Sequence, residues 1–351
     1  MKKTMKAFRV NAPLQMDLEE IPFPLINDEE VLVKVKAAGI CTTDIELYDG
    51  SMPYYKQGLS KMPITIGHEW SGTISQIGKN VKGLQVGDLV VGDISIGCGK
   101  CRNCLRGMYH LCDDRTELGV IRYDGCMAEY LKTEGKNIYK VPEGITAEEA
   151  ALVEPAATAL YGVRKTHLDP GDRVAVFGDG SIGLLAAQIA NCSGAGKVAV
   201  VARKDLHREL IESLGLTLIN SNDGDLHKMI ETALGGPADV VFEATGNAEA
   251  YKSAISVVRP GGKLCAMSIT GTPEIAIDMD YVVTRDITII GMLASPNSFA
   301  QTLALIAAGK INVAACISHR FPFEQTVEAL DFVRSKTSRN RIKVVILHDQ
   351  A

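Results

Sequence analysis

No stretch of this chain stays apolar for the ~20 residues that a membrane-spanning helix needs, so nothing in it reads as an anchor. Positive charge is not in excess either. The 37 Lys and Arg stand against 42 Asp and Glu, a net charge of −5, which argues against the basic stripe of a nucleic-acid binder. The opening residues MKKTMKAFRV are charged but have no apolar core after them, so no secretory leader is expected. Repeats, low-complexity tracts and flexible linkers are also missing. The nine cysteines are odd in number, which does not suit a disulfide framework. Several of them sit in metal-like contexts, and the expectation is a protein of the reducing cytoplasm.

What is present is length for about two domains, 351 residues, and a globular balance of 46% hydrophobic and 23% charged residues. The first part reads as short strands and turns: EVLVKVKAAGI alternates in strand fashion, and GTISQIGKNV and DLVVGDISI are strand-like runs bounded by Gly, Asn and Asp. The style changes near Glu154. DRVAVFGDG, SIGLLAAQIANC, KVAVVAR, DLHRELIESLG, ADVVFEATG, AEAYKSAISVV, GKLCAMSI and ITIIGML alternate strand with helix. That alternation predicts a doubly wound parallel sheet.

Four cysteines, Cys98, Cys101, Cys104 and Cys112, fall in the run GCGKCRNCLRGMYHLC. Their spacing lets four thiolates converge on one tetrahedral zinc ion, and four sulfurs leave no place for substrate, so this site is expected to be structural. Cys126, Cys192, Cys265 and Cys316 read as small buried hydrophobes.

Gly178, Gly180 and Gly183, with Ser181 and Ile182 between them, fit G-x-G-x-x-G after a strand and at the start of a helix. The first glycine makes the turn, the second admits a pyrophosphate, and the third lets helix and strand pack closely. Asp179 sits awkwardly there, because a carboxylate near phosphates is unfavourable unless it points away. The second strand ends in Ala202, Arg203 and Lys204, where an NAD site wants an acid. Alanine leaves room for a 2′-phosphate and Arg203 can pair with it in a two-pronged geometry, so NADP(H) is expected over NAD(H). Asp205 lies beyond the strand tip, and His207 and Arg208 add charge nearby.

A second ligand set is spread along the chain. Cys41 ends a strand-like run in GICTTD, His68 and Glu69 stand side by side in GHEWSG, and Glu154 lies at the junction of the halves. Cys, His and Glu form a catalytic-type zinc set, with three protein ligands and one open position.

Together these residues resemble the zinc-containing medium-chain dehydrogenases, the alcohol, polyol and threonine dehydrogenase family. The resemblance runs the whole length: GHEWSGTISQIGKNV for the zinc signature, GCGKCRNC with Cys112 for the structural lobe, and GDGSIG for the nucleotide domain. It implies a GroES-like, mostly β catalytic domain over 1–154 and 294–351, with the zinc lobe at about 93–115, and a Rossmann domain over 155–293. It implies two zinc ions per chain, the catalytic one held by Cys41, His68 and either Glu69 or Glu154. The glutamate at position 154 resembles the polyol (sorbitol) branch. The same resemblance makes Thr43 the hydroxyl of a proton relay and has Asp44 support the zinc site from behind its ligands. It sets Thr158 against the nicotinamide and lets Lys343 reach the pyrophosphate. Glu46 stands where many relatives carry a histidine, so Thr43 is expected to hand its proton to Glu46, a ribose hydroxyl or water.

The function implied is hydride transfer between NADP(H) and a secondary alcohol or ketone, most simply a polyol. Amino alcohols, sugar phosphates and a non-catalytic NADP(H)-binding role are the alternatives. A homodimer or homotetramer is expected, with DITIIGML able to pair edge to edge with a second copy, and no membrane or nucleic-acid partner.

Overall fold

The computed structural model describes residues 3–271, 274–335 and 340–348. The chain forms two compact units: Met1–Glu154 with Phe299–Ala307 and Ile317–Ala351, and Pro155–Ser298 with Ala308–Cys316.

The first unit is built on a seven-stranded sheet whose central strand, Glu30–Gly39, pairs antiparallel with Glu69–Ile77, Tyr130–Glu134 and Lys343–Leu347. The β-branched Val31, Val33 and Val35 of the central strand are fully buried in a core that includes Trp70, Ile74 and Ile346, and Leu32 between them is fully buried as well. Register decides what this sheet brings together. Gly39 lies opposite both Glu69 and Val345, and the Ile40 amide donates to the Val344 carbonyl at 3.0 Å. Cys41, Glu69 and Lys343 therefore meet at one end of three neighbouring strands. A separate three-stranded sheet, Ser95–Ile96, Thr116–Leu118 and Arg122–Tyr123, carries the cysteine lobe.

The second unit is a six-stranded, all-parallel sheet in the spatial order Thr217–Asn220, Lys197–Ala202, Arg173–Phe177, Ala238–Glu243, Val258–Ala266 and Thr288–Gly291. The order reverses direction beside Arg173–Phe177, which makes the carboxyl end of that strand the switch point where such sheets bind ligands. Helix Ser181–Cys192 buries every residue from Gly183 to Ala190, more than two full turns, so it is covered on all sides there, in keeping with its almost wholly apolar sequence. Thr288–Gly291, the middle of DITIIGML, is an edge strand with Ile289 exposed.

The return of the chain differs from the single segment expected from residue 294. Phe299–Ala307 joins the first unit, where Phe299 stacks on Tyr139 with centroids 5.4 Å apart. Ala308–Cys316 stays with the second unit, because the Gln188 side chain accepts from the Asn312 amide at 2.7 Å and donates to its carbonyl at 3.4 Å.

Candidate active site

Ligand atoms of Cys41, His68 and Glu69 lie within 4.8 Å of one another, and those of Cys98, Cys101, Cys104 and Cys112 form a second such group.

In the four-cysteine lobe, Cys101 caps the short helix Arg102–Leu105, and its sulfur accepts from the Cys104 amide at 3.4 Å. The Cys112 sulfur accepts from the Cys98 amide at the same distance. Amide hydrogens aimed at sulfur favour thiolates. Hydrogen bonds from the Lys100 and Cys101 amides draw Cys98 down to about 6, while burial pushes Cys104 up to about 12. One thiolate forms readily, and its neighbours resist adding like charge beside it. Four thiolates together call for a cation, and zinc fits this donor set. Gly97 makes room, since a Cβ there would sit 2.6 Å from the Cys104 sulfur.

The second group is held from behind. Asp44, on helix Thr42–Asp49, is fully buried; one carboxylate oxygen accepts from the Cys41 amide at 2.8 Å, and the other lies 3.1 Å from Nδ1 of His68. Burial alone lowers an imidazole's pKa, but Asp44, with Cys41, outweighs it and raises His68 well above the usual histidine value. The carboxylate can only accept, so Nδ1 carries the hydrogen and Nε2 faces the ligand group. Gly39 is needed here: a Cβ on it would lie 2.1 Å from a Glu69 oxygen. Cys41, His68 and Glu69, fixed in this way, fit a zinc ion with an open coordination position.

Lys343 has a different partner from the expected pyrophosphate. It is 4% exposed, and its Nζ donates to both oxygens of Glu69, at 2.6 and 2.8 Å, and to the Ile40 carbonyl at 3.0 Å. Those three bonds use all three ammonium hydrogens. Burial works against the charge, but Glu69, with Cys41 and Asp44, raises its pKa overall. The lone lysine in the apolar closing run RIKVVIL was the available sign, because a charge buried in a strand must be paired.

Glu154 lies outside the 4.8 Å group but within its electrostatic reach. Burial lifts its carboxyl to about 7; Glu69 adds to the lift, and His68 and Lys343 oppose it. Thr43 and Glu46 both lie on helix Thr42–Asp49, half-buried. Burial, and then Asp49, raise the pKa of Glu46.

In the second unit, Gly178 has φ +114°, a conformation that glycine adopts without strain. A Cβ on Gly183 would lie 2.0 Å from the Gly178 carbonyl, so the third glycine seats the helix against the turn. Gly180 caps that helix without a side-chain hydrogen bond, and no acid lies in the first turn, which holds Ser181 and Ile182. The amides there suit a diphosphate. Beyond Ala202, which is buried, Arg203 and Lys204 are exposed. The Arg203 carbonyl accepts from Asn222 at 2.7 Å. Asp205, the nearest carboxylate in sequence, is held by Arg208 at 2.6 Å. Thr158 lies on helix Val153–Lys165, partly buried. Of the remaining cysteines, Cys126, Cys265 and Cys316 are buried as expected, but Cys192 is exposed, because it ends its helix on the outer side.

Comparison with known proteins agrees with this geometry. Residues 27–143 match the alcohol dehydrogenase GroES-like domain, and 181–308 match the zinc-binding dehydrogenase domain. The chain is 32% identical to sorbitol dehydrogenase of Bacillus subtilis, over 94% of this chain and 93% of that one. It is 34% identical to L-threonine 3-dehydrogenase of Bacillus licheniformis, over 90% and 91%. A provisionally assigned zinc-binding dehydrogenase from Sinorhizobium meliloti 1021, solved with NADP, superposes with a TM-score of 0.90 at 29% identity, over 99% of this chain and all of that one. With matches of this extent to both domains, the chain belongs to the zinc-containing medium-chain dehydrogenases, in their polyol branch, and is an enzyme of the alcohol dehydrogenase type.

Proposed function

We propose that this enzyme transfers hydride between NADP(H) and a secondary alcohol or ketone, with polyols as the substrate class. The observation that carries the reading is the convergence of Cys41, His68 and Glu69, with His68 oriented by Asp44. Cys41, His68 and Glu69 would hold the catalytic zinc, with Glu154 close enough in charge to exchange with Glu69. The four-cysteine lobe would hold the second ion. Bound at the open site, zinc supplies Lewis acidity to the substrate oxygen. NADP⁺ supplies the two-electron acceptor for hydrogen leaving the carbinol carbon.

The chain's own residues do the rest. Asp44 keeps hydrogen on Nδ1, so that Nε2 stays a lone-pair donor. Thr43 accepts the hydroxyl proton of the substrate while giving up its own. Glu46, whose pKa burial raises, lies three residues on along the same helix and would take that proton on to water. In the second unit, the uncapped amides at Ser181, Ile182 and Gly183 bind the diphosphate, Thr158 supports the nicotinamide, and Arg203 with Lys204 takes the 2′-phosphate. Asp205 offers little competing negative charge, because Arg208 already pairs with it.

The test is a panel of polyols, amino alcohols and sugar phosphates assayed with NADP⁺ and NAD⁺ side by side. The expected result is highest kcat/KM on a polyol with NADP⁺. Arg203→Ala should lower NADP⁺ efficiency about 10- to 100-fold, the worth of one charge-assisted contact, with little effect on NAD⁺. Equal use of both cofactors by the unaltered enzyme overturns the NADP assignment, and preference for an amino alcohol such as threonine overturns the polyol assignment.

A further inference from the structure

A carboxylate in a phosphate-binding turn is a liability, and the structure shows what has been done with it. Asp179 occupies the second position of the turn between strand Arg173–Phe177 and helix Ser181–Cys192. Its Oδ2 lies 2.8 Å from Nδ1 of His207, a residue of the neighbouring turn that follows strand Lys197–Ala202. The two strands run parallel, with Phe177 opposite Val201, and the Gly178 amide donates to the Val201 carbonyl at 2.9 Å. The two turns are therefore held side by side before either side chain is considered. His207 is 11% exposed in its side chain, against 30% for Asp179, so the imidazole is the fixed partner and the carboxylate is drawn to it. Nδ1 must donate, because an ionised carboxylate has no hydrogen to give. The other imidazole nitrogen, Nε2, is buried with no partner among the described residues. Burial of an unsatisfied nitrogen is a cost, and packing holds the ring with Nδ1 turned to Asp179 as its side-chain polar contact among the described residues. Arg208, the next residue, does not substitute: it is engaged with Asp205 at 2.6 Å and Glu212 at 3.3 Å.

We propose that His207 is a positioning residue for the dinucleotide: it holds the Asp179 carboxylate toward its own turn and off the amides that receive the diphosphate. The proposal rests on reading Gly178–Gly183 as the diphosphate cradle, but it is independent of the NADP preference, because NAD⁺ and NADP⁺ share the diphosphate. Without His207, the carboxylate is free to approach the same amides and competes with the ligand for them.

The test measures dissociation constants of the zinc-loaded full-length enzyme for NADP⁺, NAD⁺ and adenosine by titration calorimetry, with no turnover involved. His207→Ala should weaken NADP⁺ and NAD⁺ alike by about tenfold while leaving adenosine, which has no phosphate, unchanged. His207→Asn keeps a donor where Nδ1 stood and should restore dinucleotide binding. Adding Asp179→Asn to His207→Ala should also restore it, because the competing charge is gone. If His207→Ala binds both dinucleotides as tightly as the unaltered enzyme, or if the double variant stays as weak as His207→Ala, the proposal is wrong. A loss that extends equally to adenosine also overturns it, since that is the signature of a collapsed turn. Failure of the NADP assignment has a different signature: the unaltered enzyme binds NAD⁺ at least as well as NADP⁺. Failure of the cradle reading shows as no dinucleotide binding by any variant.

Discussion

Cys41→Ser is expected to reduce turnover roughly a thousandfold or more and to leave cofactor binding unchanged. Serine fills nearly the same space as cysteine, but its hydroxyl stays protonated near neutral pH and is a poor zinc ligand. The open site would then lose the sulfur of its three-membered set, while His68 and Glu69 remain in place. Several kcal/mol of charge stabilisation at the substrate oxygen disappear with the ion, and each ~1.4 kcal/mol is about tenfold in rate. The dinucleotide turn, with Gly178, Gly180 and Gly183, lies in the other compact unit and contains none of these residues. The check is kcat alongside an NADP⁺ titration. Turnover near the unaltered level would remove Cys41 from the ligand set, and a parallel loss of NADP⁺ affinity would show that the substitution acts through folding.

Lys343→Met should produce a large loss of stability when variant and unaltered enzyme are compared after a chelator has emptied the open site, so that no zinc ion neutralises Glu69. The lysine and Glu69 are 4% and 1% exposed, and the substitution removes both short bonds to the carboxylate at once. A buried carboxylate left without its partner costs about 3–5 kcal/mol, far more than the net worth of an intact pair. For a unit of this size, that corresponds to a fall in thermal midpoint of at least ~6 °C. Combining Lys343→Met with Glu69→Gln should recover much of the loss, because no unpaired charge then remains. Differential scanning calorimetry reads both variants. An unchanged midpoint for Lys343→Met would mean that Glu69 finds another cation, and would weaken the view that Lys343 fixes its position.

Most of the chemistry was legible in the sequence because it is carried by residue types that are rarely placed together by chance. Four cysteines at close spacing, a Gly-rich turn after a strand, and a Cys, His and Glu set each name a donor group directly. The alternation of strand and helix after Glu154 gave the parallel sheet, since its period depends on local pattern. Long-range pairing was not legible in the same way. That Cys41, Glu69 and Lys343 share one end of the sheet follows from register across strands far apart in sequence, and no local pattern reports register. For the same reason the sequence alone points Lys343 to the cofactor, whereas its Nζ donates to Glu69 and the Ile40 carbonyl. The path of Ala308–Cys316 is not a local signal either: its ties include the Gln188 and Asn312 pair, across more than a hundred residues, and the burial of Ile311, Val313 and Cys316. Asp179 was visible as an anomaly, and only the structure supplied its partner, His207.

The role of the open zinc site is read by following alcohol-dependent NADP⁺ reduction against zinc content, as chelator removes metal from the purified enzyme. Two zinc ions per chain are expected at the start, held by the two ligand groups. Turnover should fall in step with loss of the ion from Cys41, His68 and Glu69, and return when zinc is restored. Undiminished turnover in protein verified to be free of zinc would contradict that role.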